Sequence, residues 1–173
     1  MTTSYVLDLL KNRQTCRSFS ETPVENDKLQ LLKEALKYSP SKQNTYPCQV
    51  IILGPNAVAE KEQLYPTTHC SPQFPNMFNP QILAPVVFLF LADKNLSQIW
   101  DKKQYKRMYK YAYLQAGLSA MSLVSVAEDI GLDTGFVAAL DASIPLEGID
   151  YEERILFGVG VGYHRDDVPE RYR

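Results

Sequence analysis

Apolar residues at helical spacing open the chain. Tyr5, Val6, Leu9 and Leu10 predict a short amphipathic helix that ends near Asn12. The polar stretch from Arg13 to Pro23 reads as extended backbone. From Glu25 to Tyr38, Leu29, Leu32 and Leu36 form one stripe, with Leu31 and Ala35 beside it. That stripe predicts a second helix, which Pro40 stops. Cys48 to Leu53 reads as a buried strand closed by Gly54-Pro55, and residues 57–64 suit a short helix.

The next stretch breaks the pattern. Between Tyr65 and Pro80, four prolines stand among Thr, His, Ser and Asn, so no regular structure is expected there. A loop of this length inside a compact domain is usually functional or mobile. Pro85 to Ala92 is a second buried strand, rich in Val and Phe. Tyr105 to Ile130 predicts the longest helix, whose apolar and small-residue surface is unusually wide. Such a helix is buried either within the chain or between two chains.

Gly131 suits the left-handed position that ends a helix. Thr134 to Leu140 and Ile155 to Val161 are the third and fourth strands, and the tail HRDDVPERYR is polar. Apolar strands alternating with helices imply a sheet covered on both faces. No repeat or linker divides the chain, so residues 1–173 are expected to form one domain.

Composition narrows the function. The 173 residues carry 18 Lys+Arg against 20 Asp+Glu, a net charge of −2, which supplies no field for nucleic acid. The chain is 45% hydrophobic and 22% charged, which excludes a disordered or collagen-like chain. Cys16, Cys48 and Cys70 are widely spaced, and only His69 and His164 could supplement them, so no metal site is expected. The N-terminus does not read as a signal peptide. The longest apolar run, Ala84 to Ala92, is far short of the ~20 residues of a membrane span. A cytoplasmic protein without membrane contact is the expectation.

The densest polar cluster is Arg13-Gln14-Thr15-Cys16-Arg17-Ser18-Phe19. Two arginines four apart, with hydroxyls between, suit a phosphate. A solvated turn, or pairing of an arginine with Glu21, explains the same residues. Three further features follow: the proline-bracketed loop from Pro40 to Pro47, the segment Gly131 to Asp141, and a tail carrying Arg171 and Arg173. Gly158-Val159-Gly160-Val161-Gly162 imitates a nucleotide-binding glycine string. It lies in a strand with no helix after it, so it reads as close backbone packing. Cys48 reads as a small buried residue and His164 as a turn residue. Tyr105, Tyr109, Tyr111 and Tyr113 serve core or interface first and a substrate wall second.

In this order, Arg13-x-Thr15-x-Arg17-x-Phe19, Pro40-Ser41-x-x-Asn44-x-x-Pro47, Gly131-Leu132 through Asp141, Gly162-Tyr163 and the basic tail resemble the FMN-dependent nitroreductase family. The resemblance implies an α+β fold layered α/β/α, with a central mixed, mostly antiparallel sheet of four to five strands flanked by helices. It implies a tightly bound FMN and a homodimer with the flavin at the interface.

The resemblance also implies roles for particular residues. Arg13 and Thr15 grip the phosphate, with Gln14 beside them where the family more often has Arg or His. Arg17 approaches the N1/O2 edge of the flavin, where positive charge stabilises the reduced form. Ser41 and Asn44 belong to the partner subunit's side of the site. The amides of Ala138 and Ala139 face flavin N5, and Arg171 and Arg173 complete the phosphate grip. Tyr46 and Cys48 depart from the usual Gln and Trp. Asn76 and Asn79 are the candidates for further flavin contacts.

The implied activity is transfer of electrons from NAD(P)H to a nitroaromatic, quinone or similar acceptor by a ping-pong cycle. No protein group acts as catalyst beyond tuning the flavin. Without a dinucleotide domain, NADH and NADPH are expected to be discriminated weakly. The alternatives are a non-catalytic or partner-dependent FMN-binding protein, a flavin-fragmenting, dehalogenating or azoline-oxidising enzyme on the same scaffold, and a module for another phosphorylated ligand.

Overall fold

The computed structural model describes residues 4–71, 74–95, 101–138, 140 and 155–166. Helix α1 (Tyr5–Asn12) and helix α2 (Asn26–Lys37) precede strand β1 (Cys48–Leu53) and helix α3 (Val58–Leu64). A hairpin of β2 (His69–Ser71) and β3 (Phe74–Phe78) leads to β4 (Val86–Ala92). The long helix α4 (Lys102–Asp129), β5 (Asp133–Val137) and β6 (Ile155–Gly162) follow.

Four strands form one antiparallel sheet in the order β1-β4-β6-β5. The central strand β4 is buried at every position, as its uninterrupted apolar sequence requires. Alternate side chains serve two cores. Val86, Phe88 and Phe90 pack with Leu32 of α2 and with Ala112, Ala116, Ala120 and Leu123 of α4. Val87, Leu89 and Leu91 pack with Leu53, Leu64 and Ile82 on the other face. The sheet is thus covered on both faces, as its sequence predicts.

Helix α4 begins three residues before Tyr105 because Asp101 caps it, its carboxylate accepting the Gln104 amide at 2.8 Å. At the other end Gly131 has φ +73° and its amide donates to the Glu128 carbonyl. The next amide, of Leu132, reaches back to Ala127 at 2.8 Å, so the helix stops in a Schellman turn that feeds β5 directly. Strand β5 ends at Val137 rather than at Leu140.

Residues 65–80 are more regular than their sequence suggests. They hold a 3₁₀ turn at Tyr65–Thr67 and the β2-β3 hairpin, followed by a second 3₁₀ turn at Pro80–Leu83. Pro66 and Pro80 sit at the starts of the two turns, where no amide hydrogen is needed. Pro75 lies in a two-stranded ladder, which has only edges. The glycines of β6 are close-packing devices. A Cβ on Gly160 would overlap the Gln81 carbonyl, and one on Gly162 would meet the Pro85 ring at 2.8 Å. Among the described residues, no helix is long and apolar enough to cross a membrane.

Candidate functional site

The segment after α1 is laid along the edge strand β5. Thr15 bridges Thr134 in parallel, and the Cys16 amide donates to the Thr134 carbonyl at 2.8 Å. Farther along, Phe19 bridges His164 and the Ser20 amide donates to Tyr163 at 2.8 Å. Gly135 makes this approach possible, since a side chain there would overlap the Cys16 carbonyl. The stretch that reads as extended in sequence is therefore clamped at both ends.

The clamp presents Arg13 and Gln14 half-buried and Thr15 and Arg17 exposed. Among the described residues, neither guanidinium has a carboxylate within ion-pair distance, so pairing with Glu21 does not account for them. Two free guanidinium groups and a hydroxyl on one fixed segment are chemically suited to a phosphate.

The loop before β1 is conformationally unusual. Gln43, Asn44 and Tyr46 have φ of 53°, 55° and 41°, in the left-handed region that non-glycine residues seldom occupy. Ser41 Oγ accepts the Tyr46 amide at 3.0 Å, and Thr45 Oγ1 donates to the Lys42 carbonyl at 2.9 Å. Local hydrogen bonds thus hold a strained turn, a feature that clusters at binding sites.

These two halves of the sequence-predicted site are separate within one chain. Arg13 to Arg17 follow β5, whereas Ser41 and Asn44 lead into β1, the opposite edge of the sheet. Three strand spacings of about 4.8 Å, roughly 14 Å, lie between those edges. Ala138 is exposed just past the end of β5. Ala139, Arg171 and Arg173 lie outside the described residues, as does the side chain of Asn76. Asn79 donates through Nδ2 to the Thr68 carbonyl at 3.0 Å, and its amide donates to Thr68 Oγ1, which fastens the hairpin.

Other groups are accounted for without chemistry. Burial pushes the Cys16 thiol up to about 11 and the Cys48 thiol up to about 12, so both stay protonated near neutral pH. His164 pairs through Nδ1 with Asp133 at 2.9 Å. No described cluster of His, Cys, Asp and Glu is arranged to hold a metal. A shallow cavity of about 390 Å³ is lined by Glu25, Asp133, Tyr163, His164 and Asp166. Its three carboxylates suit no phosphate, and it sits at the end of β5 away from Ala138.

Two features escape a linear reading. Gln81 is 1% exposed and its Oε1 has no hydrogen-bond partner among the described residues, while its Cγ lies against Gly135. Lys42 places its ammonium 3.8 Å from the centroid of the Tyr111 ring, on α4. Arg107 Nε donates to the same Tyr111 hydroxyl at 3.1 Å. A run of lysines at the start of α4 was the available signal for this second cluster.

A family model for the nitroreductases matches residues 10–163, a span that includes the clamped segment, the strained loop and all six described strands. The chain belongs to the nitroreductase family.

Solved structures agree on the fold. A nitroreductase with bound FMN from Bacteroides fragilis superposes with a TM-score of 0.73 at 13% identity, covering 99% of this chain and 94% of that one. A Staphylococcus epidermidis protein, described as a candidate NAD(P)H:FMN oxidoreductase, gives 0.73 at 16% identity, covering 100% and 93%. A nitroreductase family protein from Streptococcus pneumoniae gives 0.67 at 19% identity, covering 96% and 94%. No curated protein matches the sequence. The layered helix-and-sheet architecture of this nitroreductase-family chain is thus the fold that its sequence resemblance implies.

Proposed function

We propose that this nitroreductase-family chain is a homodimeric FMN-dependent oxidoreductase that passes electrons from NAD(P)H to a nitroaromatic, quinone or similar small acceptor. The observation that carries the reading is the clamped segment Arg13 to Arg17, held against β5 through Thr15 and Cys16, whose two guanidinium groups have no carboxylate partner among the described residues. Family membership supports flavin-dependent oxidoreduction. The donor set fits FMN, whose phosphate matches Arg13 and Thr15.

Bound FMN supplies hydride chemistry at N5. This chain's residues supply the geometry. Arg13, Gln14 and Thr15 bind the phosphate, with Arg171 and Arg173 completing the grip. Arg17 holds a fixed positive charge at the N1/O2 edge, which favours negative charge developing there. The amides of Ala138 and Ala139 orient the ring at N5. Donor and acceptor using one site in turn would give a ping-pong order.

A dimer supplies what one chain separates. Ser41 and Asn44 sit at the sheet edge opposite Arg13, so a second copy brings its own loop to this chain's flavin. The exposed apolar face fits that reading. Tyr5, Val6, Leu7 and Leu10 of α1 are exposed, as are Leu114, Leu118 and Met121 of α4. Helix α1 has no buried residue, and eight isolated residues do not hold a helix in water. A cytoplasmic setting fits the free thiols of Cys16 and Cys48.

The test is an absorbance spectrum of the purified protein, followed by anaerobic addition of NADH or NADPH. Flavin bands that bleach are expected. Bands that persist favour an FMN-binding protein without this activity, and a colourless protein that fails to take up FMN refutes the reading.

A further inference from the structure

Beyond its Asp101 cap, helix α4 begins with charges that oppose its own stability. Lys102, Lys103, Lys106, Arg107 and Lys110 put five cations in its first nine residues, and no Asp or Glu occurs from Lys102 to Ala127. The start of a helix carries the positive end of the backbone dipole, so cations there are unfavourable. Lys103, Lys106, Arg107 and Lys110 are also spaced three or four apart, which sets like charges side by side. Among the described residues, no carboxylate lies within ion-pair distance of any of these five cations. In a chain of net charge −2 this concentration is local.

A sixth cation arrives from another element. Lys42, on the strained loop, lies over the Tyr111 ring at 3.8 Å while Arg107 bonds the Tyr111 hydroxyl. Hydrogen bonding from Lys42 and Arg107, with a smaller contribution from their charges, pulls the Tyr111 phenol down to about 8. A surface selected only for stability would separate these charges or supply an acid between them.

The position is specific too. Cys48 pairs with Ala92 and the Asp93 amide bonds the Pro47 carbonyl, so the loop meets the sheet at the outgoing end of β4. Helix α4 descends from that end, since its other terminus feeds Asp133 at the far end of β5. Strand β5 then climbs back, leaving Ala138 at the same end of the sheet as Lys42 and Tyr111. Lys42 moreover lies between Ser41 and Asn44, which the dimer reading sets beside the flavin.

We propose that Lys42, Arg107 and Tyr111, extended by Lys103, Lys106 and Lys110, bind the 2′-phosphate of NADPH and make this chain select NADPH over NADH. The inference rests on the oxidoreductase reading above, and it departs from the weak discrimination that the sequence leads one to expect. Arg107 and Lys42 supply the charge that a phosphate dianion requires. NADH lacks the extra phosphate, so it leaves the cluster's mutual repulsion unrelieved. The patch is confined to one half-helix and one loop, which suits a single phosphate group better than a polymer.

Calorimetric titration of the purified protein with 2′,5′-ADP and with 5′-AMP tests the site without relying on activity. The 2′-phosphate is expected to tighten binding by roughly tenfold or more, the scale of a charged hydrogen bond. In the Lys42→Ala/Arg107→Ala double variant that advantage is lost while 5′-AMP binding is unchanged. Lys42→Ala alone, on an exposed loop, gives a smaller loss and guards against misfolding of the double variant. With FMN-loaded protein, the double variant should raise KM for NADPH by about tenfold and leave kcat and the NADH constants within about twofold. Equal binding of the two adenosine phosphates, or a parallel loss for NADH and NADPH, overturns the inference. If flavin bleaches equally with both nucleotides, only the inference fails. If 2′,5′-ADP binds selectively to a protein that never takes up FMN, the oxidoreductase reading fails and the phosphate site stands.

Discussion

The carbonyl of Cys16 occupies the space that a side chain on Gly135 would need. That relationship fixes the phosphate-binding candidate segment to β5, and it makes a specific prediction. Gly135→Ala should lower stability by about 1–3 kcal/mol, the usual cost of overpacking, and weaken FMN binding in parallel. Thermal melts and quenching of flavin fluorescence measure the two effects. A variant that melts and binds like the parent would mean that the segment shifts freely.

Arg13→Ala should cost about 1.5–3 kcal/mol in FMN binding, the contribution of a hydrogen bond to a charged group. Lys11→Ala is the control, because Lys11 is exposed and already faces Asp8 at 3.7 Å. Titration of the flavin-free protein with FMN reads both. Unchanged affinity in the Arg13 variant would remove it from the site.

Leu118→Glu places a charge in the exposed apolar face of α4, where Leu118 is 39% exposed. If two copies meet there, light scattering should show a shift from dimer to monomer, with a fall in bound FMN. Burying an unpaired charge costs several kcal/mol, enough to dissociate a modest interface. A variant that stays dimeric and fully loaded would place the interface elsewhere.

Lys61 makes a pH-dependent contribution. It is 5% exposed, and its ammonium donates to the Ala84 and Pro85 carbonyls, both at 2.8 Å. Burial lowers its pKa below the ordinary 10.5. Between the lowered folded value and 10.5 the unfolded chain binds more protons, so stability should rise with pH across that window. Lys61→Met should abolish this slope and, by orphaning two carbonyls, cost about 1–3 kcal/mol near neutral pH. Urea melts between neutral pH and mild alkali follow both changes, and an unaltered slope would assign the proton uptake to another group.

The sheet was legible because its strands are short apolar runs with distinct punctuation. Cys48–Leu53 lies between Pro47 and Gly54, and its observed bounds match those read from the sequence. The hairpin at His69–Ser71 and Phe74–Phe78 was hidden because proline density signals a break. Proline is tolerated at 3₁₀ starts and in ladders with free edges, and this segment uses both positions.

The candidate site was legible where its residues are neighbours in sequence. Arg13 to Phe19 reads as an extended basic segment, and it is held at Thr15 and Cys16 against β5 and at Phe19 against His164 just after β6. Lys42 and Tyr111 meet only in three dimensions, through the turn that carries Lys42 over α4. No spacing rule links a 3₁₀ turn to a helix many residues later. Gln81 was equally hidden, since a polar residue in a proline-flanked loop gives no sign that it will be buried against Gly135.

The sheet order has a consequence for synthesis. Strand β6 sits between β4 and β5, although both precede it in the chain. A nascent chain that has emerged only as far as Val137 therefore exposes the inward edges of β4 and β5 with nothing to pair them. Completion of the sheet waits for β6 to be made, and it demands closure of long loops. Until then, both open edges invite pairing with other chains, and this is the interval in which a chaperone has most to protect.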